Sequence, residues 1–263
     1  MMTELSAETI HAGLGTQRIG HAVYYWTAIG STNEELKRLA DQGAPEGALA
    51  VTDEQLSGRG RLGRSWIAPA GSSLLTSLLF RPTFLTPTRA QQLTMLCSLA
   101  AADAVAEVTG LRPALKWPND LLLEGKKLAG VLTEMGLEGE ALAWVVVGVG
   151  LNVNVDFTSQ APELADTAIS LAMMLGQPLS RLPLLHSYLA RVERRYTALR
   201  YGHSPHPEWA VRLETLGQQV TVLAPDGSYQ GLAESVDEMG ALLLRQPDGQ
   251  LMRILAGDVT LRA

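Results

Sequence analysis

Gly58-Arg59-Gly60-Arg61-Leu62-Gly63-Arg64-Ser65-Trp66 is the stretch from which the rest of the chain is read. Three glycines and three arginines share the seven positions from 58 to 64. Glycine allows positive φ and close approach of backbone to a ligand. Arginine supplies a planar fork of donors for carboxylate or phosphate. The combination suits a loop wrapped around a small anion. The plain alternative is a solvated basic turn, and the rival is an RNA-binding Arg-Gly segment. The absence of repeats and a net charge of -6 count against the rival, since grip on nucleic acid rests on neutralising phosphates.

Outward from the loop, residues 49–52 read as a buried strand before it, and residues 72–81 as a strand after it, ended by Pro82. Residues 23–28 form another strand candidate. Ser31-Thr32-Asn33-Glu34 then has the pattern of a capping box, opening a helix through Leu36, Leu39 and Ala40 with Gly43 at its exit. Residues 89–108 have helical periodicity and a stop at Gly110. Strand candidates follow at 114–117, 127–135 and 141–149, the last two joined by the turn Leu137-Glu138-Gly139. Helices are expected at 168–175 and 182–201. Hairpin-linked strands between helices predict an α+β fold, a mixed central sheet with packed helices, rather than a doubly wound parallel sheet. Past Arg212 the character changes. Turns at Pro225-Asp226-Gly227, Glu238-Met239-Gly240 and Pro247-Asp248-Gly249 separate short strands, which predicts a small antiparallel barrel. The division expected is residues 1–212 and residues 213–263.

With 263 residues, 46% of them apolar, the chain can bury a sizeable core. The single cysteine, Cys97, lies in an apolar helical run and reads as a small buried hydrophobe. The opening residues carry Glu4 and Glu8 and do not resemble a secretory signal. Residues 74–80 and 141–149 are too short to cross a bilayer. The expectation is a soluble, cytoplasmic protein. His203-Ser204-Pro205-His206-Pro207 is the most loop-like segment, and its histidines lack partners at metal-ligand spacing.

Three further segments carry chemistry-bearing side chains. Lys116-Trp117-Pro118-Asn119-Asp120 ends a strand and sets an ammonium, an amide and a carboxylate at a loop mouth, where a tight turn with a surface lysine is an equal reading. Lys126-Lys127-Leu128-Ala129-Gly130 places two lysines before a buried strand. Ser31-Thr32-Asn33 is explained by a helix cap alone, although free N–H groups at a helix start also attract anions. No G-x-x-x-x-G-K-[ST] occurs, which excludes a P-loop. Gly148-Val149-Gly150-Leu151-Asn152-Val153 begins like a dinucleotide fingerprint, but Val153 stands at the third glycine position.

Taken in order from Ser31 to Asn154, these segments resemble the biotin protein ligases. The match runs through Ser31-Thr32-Asn33, Glu54-Gln55, residues 58–66, residues 116–121, residues 127–130 and residues 148–152. Gly30 stands where an acidic residue often precedes the triplet, and Leu56-Ser57 replaces the usual pair before the glycine loop. The tail after Gln218 resembles the family's SH3-like barrel. Only about thirty residues precede Ser31, too few for the N-terminal DNA-binding domain of some members, so the expectation is the short form without it.

The resemblance implies activation of biotin by ATP to biotinyl-5′-AMP, then transfer to a lysine of a biotin carboxyl carrier protein. It implies biotin contacts from Ser31, Thr32, Asn33, Gln55, Arg59, Gly60, Arg61, Lys127 and Gly130. Nucleotide contacts would come from Arg61, Trp66, Asn119, Lys127 and Asn152. The catalytic set would be Lys127, Arg61, Lys116 and Asp120, the last helping to deprotonate the acceptor lysine. Mg²⁺ is expected on the triphosphate, with no metal ligand assigned in the protein. Neither DNA nor a membrane is an expected partner, and a homodimer is compatible with the reading. A lipoate or octanoate ligase of the same fold and a non-catalytic biotin-binding regulator are the alternatives, with the Gly-Arg-Gly-Arg loop favouring biotin.

Overall fold

The computed structural model describes residues 5–261, so the reading of the first residues through Glu4 lies outside it. A short helix α1 (Ala7–Ala12) leads into β1 (Val23–Ile29), α2 (Thr32–Asp41), β2 (Leu49–Gln55) and β3 (Ser73–Phe80). Helix α3 (Gln91–Thr109) precedes β4 (Ala114–Lys116), β5 (Asp120–Leu123), β6 (Lys126–Glu138) and β7 (Ala141–Asn152). Helices α4 (Phe157–Gln160), α5 (Leu171–Leu175), α6 (Arg181–Arg200) and α7 (His206–Val211) follow. The chain ends in β8 (Gln219–Ala224), β9 (Gly227–Val236), β10 (Leu242–Arg245), β11 (Leu251–Ile254) and β12 (Asp258–Leu261).

The first seven strands form one sheet in the order β1-β2-β3-β7-β6-β5-β4, and only the β1–β2 pair is parallel. The mixed sheet expected from the hairpin signals is therefore present. Alternating side chains of β3 serve two layers. Leu74, Leu78 and Phe80 join the main core under α3 and α6, whereas Leu79 joins Leu36, Ala40, Ala50 and Val146 under α2. Helix α3 is almost wholly buried, which explains its apolar run, and it stops as expected at Gly110, whose φ of 76° is the left-handed cap. Among the described residues no helix is long and apolar enough to cross a membrane.

Several local expectations change. Ser31 is the N-cap of α2, but its side chain makes no capping bond. The first free N–H, that of Thr32, donates instead to Gln55 Oε1, and Glu34 pairs with Lys37 and Arg59, so no capping box forms. Residues 168–170 are not helical: Ala168 bridges to Lys127, and Ser170 caps the shorter α5. Residues 120–123 are a strand that the sequence reading missed, making residues 116–120 a turn between paired strands. The histidine-rich segment runs into α7, and the His206 ring bonds to Val236 O at 3.0 Å.

The last five strands form an antiparallel sheet, β11-β10-β9-β8-β12. It is consistent with an SH3-like barrel, although the end strands β11 and β12 do not pair and no ring is closed. Its apolar residues Val220, Val222, Leu242 and Leu244 belong to the same core as α3. Trp117 is the bolt between the two sheets. It is 1% exposed, its N–H donates to Thr215 Oγ1 at 3.0 Å, and its indole Nε1 donates to Gly240 O at 2.8 Å. Trp117→Leu leaves a cavity and removes the donor to Gly240. It is expected to cost about 2–4 kcal/mol of unfolding free energy, read from urea denaturation. An unfolding curve superimposable on wild type would contradict the bolt.

Candidate functional site

The site is a cleft between the Gly/Arg loop, the start of α2 and the middle of β6 and β7. Its floor is a place where side chains are missing. Gly130 pairs with Gly150 across β6 and β7, and Gly148 pairs with Leu132. The Trp66 ring lies on this floor. A Cβ at Gly150 would sit 2.7 Å from the ring and one at Gly130 3.2 Å from it. A Cβ at Gly148 would sit 2.2 Å from Asn33 Oδ1. The Gly148-Val149-Gly150 pattern thus serves close packing of a ring and an amide on the sheet, which is why it looked like an incomplete dinucleotide fingerprint. The indole Nε1 of Trp66 is buried without a hydrogen-bond partner.

One end of the cleft is neutral and polar. Gln55 Oε1 accepts from Thr32 N at 2.9 Å and from Thr32 Oγ1 at 3.1 Å, which fixes the orientation of its amide. Ser31, Thr32 and Asn33 are all buried. The polar atoms of Asn33 are engaged within the protein. Its Oδ1 accepts from Ser77 Oγ at 2.6 Å, and its Nδ2 donates to Leu132 O at 3.2 Å and Glu134 Oε2 at 2.8 Å. It therefore pins α2 to β3 and β6.

The other end carries four cations. Lys127 Nζ pairs with Asp120 Oδ1 at 2.7 Å and lies 5.8 Å from the Trp66 ring centroid, a cation–π distance. Arg64 Nη2 pairs with Asp258 Oδ2 at 2.5 Å, and Arg59 Nη1 with Glu34 Oε1 at 2.5 Å. Arg61 is different: its Nη1 reaches two neutral oxygens, Gly257 O at 3.2 Å and Asn119 Oδ1 at 3.4 Å. Burial lowers the Arg61 pKa from its ordinary value, opposed by Asp258 and Asp120, and the guanidinium stays charged at neutral pH. The loop is a small hairpin. Gly60 N donates to Arg64 O at 2.7 Å, Trp66 N donates to Gly58 O at 2.9 Å, and Arg59 bridges Ser65. Its tip turns through Leu62 and Gly63, with φ of 54° and 74°. Both hinges of the loop are held by the buried Arg181, which pairs with Asp53 Oδ1 at 2.7 Å and donates to Ser73 O at 3.2 Å.

Ser31, Thr32, Asn33, Gln55, Arg59, Gly60, Arg61, Trp66, Asn119, Asp120, Lys127 and Gly130 all line this cleft. Lys116 and Asn152 do not. Lys116 stands opposite Asp120 in the β4–β5 register. Asn152 is buried, and its Nδ2 donates to Lys127 O at 3.3 Å and Ile169 O at 3.2 Å, steadying the strand that carries Lys127. Asp258 and Glu34 were missed. Asp258 comes from the last strand, about two hundred residues from the loop it meets, with no motif of its own. Glu34 was read as a capping residue. Among the described residues no group of three His, Cys, Asp or Glu side chains is arranged to hold a metal ion.

Comparison with known proteins covers nearly the whole chain. Residues 25–152 match the biotin/lipoate A/B protein ligase family, and residues 215–262 match the biotin protein ligase C terminal domain. The bifunctional ligase/repressor BirA of Bacillus subtilis is 34% identical over 260 residues, covering 98% of this chain and 79% of that protein. The biotin–[acetyl-CoA-carboxylase] ligase of Paracoccus denitrificans is 36% identical over 227 residues, covering 84% of this chain and 92% of that protein. The biotin protein ligase of Aquifex aeolicus, solved in complex with biotin and ATP, superposes with a TM-score of 0.77 at 29% identity, covering 92% of this chain and 99% of that one.

The glycine floor yields a direct test. Gly150→Ala puts a methyl 2.7 Å from the Trp66 ring and must lift the ring off the sheet. Biotin affinity is expected to fall at least tenfold, about 1.4 kcal/mol, with the far-UV circular dichroism spectrum retained. Calorimetric titration returning wild-type affinity would contradict the account of the floor.

Proposed function

The chain belongs to the biotin/lipoate A/B protein ligase family, and we infer that it acts within that family as a biotin protein ligase, activating biotin with ATP and transferring it to an acceptor lysine. The observation that carries this reading is the cleft itself, a neutral polar end joined to a cationic end across a glycine floor. Biotin has that polarity, a neutral ureido head and a carboxylate tail, and the tail is where phosphate arrives. The lipoate or octanoate reading is disfavoured because the curated relatives are biotin ligases. A non-catalytic regulator is disfavoured on the same ground.

In the first step the biotin carboxylate attacks the α-phosphorus of ATP and pyrophosphate leaves. In the second the acceptor amine attacks the acyl carbonyl and AMP leaves. Both steps place negative charge on phosphate oxygens, so the protein must supply positioning and cationic stabilisation. We assign the ureido head to Ser31, Thr32 and Gln55, with Asn33 holding that wall and Gly130 leaving room for biotin beside Trp66 and Lys127. Gln55 supports this assignment because Thr32 fixes its amide.

Lys127 and Arg61 are assigned to the carboxylate and α-phosphate, with Arg59 and Gly60 closing over them. Arg61, half-buried among neutral oxygens, is the cation most in need of an anion. Trp66, with its unpartnered Nε1, and Asn119 are assigned to the nucleotide. Asp120, an acceptor-only carboxylate, is assigned the proton of the incoming lysine, whose free pKa near 10.4 leaves it charged at neutral pH. Lys116 and Asn152 act from outside the cleft, Asn152 through the backbone of Lys127.

The same proposal takes Mg²⁺ as part of the ATP substrate, a biotin carboxyl carrier protein as acceptor and the cytoplasm as location. It divides the chain into a ligase unit, residues 1–212, and a C-terminal unit, residues 213–263. The start of the second sheet at Gln219 supports that division.

Incubation with biotin, MgATP and a carrier domain is expected to add one biotin mass to one lysine, and an unchanged mass would overturn the reading. Lys127→Ala is expected to slow single-turnover formation of biotinyl-AMP by about 2–4 kcal/mol of transition-state stabilisation. Formation at the wild-type rate would remove Lys127 from that role. Arg61→Gly is expected to slow the first step modestly and release the adenylate faster, because contacts to a bound product mainly set its off-rate. The readout is biotin transfer to serum albumin as a bystander. A variant that makes adenylate but labels albumin no faster than wild type shows that Arg61 does not retain it.

A further inference from the structure

Of the cations around the cleft, Arg59 is among the most loosely held, with its side chain 58% exposed. It lines both the cleft and a second groove along the loop. Its backbone is fixed by the bridge to Ser65, so its guanidinium changes partner by side-chain rotation alone. Its present partner is Glu34, in the first turn of α2, and Glu34 is itself anchored. Lys37 Nζ reaches Glu34 Oε1 at 2.8 Å and Glu134 Oε1 at 2.6 Å. Glu134 in turn accepts from Asn33 at 2.8 Å. Lys37 first, opposed by burial, and then Arg59 hold the Glu34 carboxyl below its ordinary pKa, so it is ionised at neutral pH. A fixed anion thus stands beside a mobile cation.

We propose that Glu34 is a positioning residue that competes with the bound ligand for Arg59, and so sets how tightly and how long the loop holds biotin and its adenylate. This rests on the reading of Arg59 as a ligand contact. Three features make Glu34 suited to the task. It keeps Lys37 when Arg59 leaves, so the exchange strands no carboxylate without a partner. The Arg59–Glu34 pair is exposed enough to be weak, so a carboxylate or phosphate in the closed cleft displaces it. A moderated grip also serves a two-step enzyme, since the second step must let AMP go.

The test is a cycle of Glu34→Gln, Arg59→Ala and the double variant, measured by calorimetric biotin affinity and by the rate of biotinyl-AMP release. In Glu34→Gln the side-chain amide oxygen still accepts from Lys37, so the fold is preserved, and thermal melts check this. Glu34→Gln is expected to tighten biotin binding and slow adenylate release by about threefold, the scale of an exposed ion pair. That gain shrinks as salt is raised. Arg59→Ala is expected to do the opposite, and the double variant to match Arg59→Ala alone. If Arg59→Ala changes neither quantity, the ligand role of Arg59 fails and the competition with it. If Arg59→Ala weakens binding but Glu34→Gln leaves it equal or weaker than wild type, the competition alone is wrong. A gain from Glu34→Gln that persists without Arg59 also overturns the proposal, because the carboxylate would then act directly on the ligand.

Discussion

The geometry of the cleft depends on one constraint: β7 must carry no side chain at 148 and 150. A sheet normally keeps neighbouring groups at a distance set by its Cβ atoms. Removing two of them on one face lets an indole and an amide lie against the backbone. Trp66 carries the end of the Gly/Arg loop with it, and Asn33 carries the start of α2. Loop and helix are thus referenced to the same two strands, and the space between them is fixed by the sheet. The polar wall and the cationic wall owe their separation to this arrangement, and the exposed Arg59–Glu34 pair links the two across it.

Around that floor the charges are arranged unequally. Lys127, Arg64 and Arg59 each have a carboxylate partner within ion-pair distance. Arg61 is half-buried, and its hydrogen bonds go to a backbone carbonyl and a side-chain amide oxygen. Desolvating a guanidinium without an anion is costly, and nearby Asp258 and Asp120 offset only part of it. The paired cations already have their charge satisfied and contribute to an incoming anion by exchange. Arg61 contributes without giving up an ion pair. Under the proposed function, this inequality makes Arg61 the residue whose environment an incoming carboxylate or phosphate changes most.

What the sequence made legible is what repeats physical necessity at short range. Glycines beside arginines, an apolar helix closed by Gly110, and hairpin turns between strands all work within a few residues, and each is found where its local chemistry requires. Ser31-Thr32-Asn33 shows the limit. Its capping pattern is a local rule, but Gln55 takes the Thr32 N–H and Arg59 takes Glu34, so tertiary partners replaced the cap. Lys116 and Asn152 show another limit. Matching a motif identifies neighbours of a site, but tertiary partners decide which side chains enter it: Asn152 shares the face of Gly148 and Gly150, yet its amide is taken by the carbonyls of Lys127 and Ile169. Asp258 had no local signal, because its place beside Arg64 is created only when the second sheet folds onto the first.

That last step is itself encoded in the motif that supplies the site. Within Lys116-Trp117-Pro118-Asn119-Asp120, Asn119 and Asp120 face the cleft, whereas Trp117 turns away into the core and binds the backbone at Gly240. Leu115, one residue before the motif, exchanges backbone hydrogen bonds with Arg212 and Glu214, the entry to the second sheet. A five-residue turn thus positions two site side chains and docks the C-terminal unit. Docking brings Gly257 and Asp258 to Arg61 and Arg64. The two arginines nearest the loop tip are therefore oriented by a part of the chain that shares no strand with the ligand floor. Displacement of the second sheet removes the partners of Arg61 and Arg64 directly, whereas the ion-pair partner of Lys127, Asp120, and the hydrogen-bond partner of Gln55, Thr32, lie in the first sheet and α2. The loop, and not the polar wall, is the part of the cleft that the last sheet contacts.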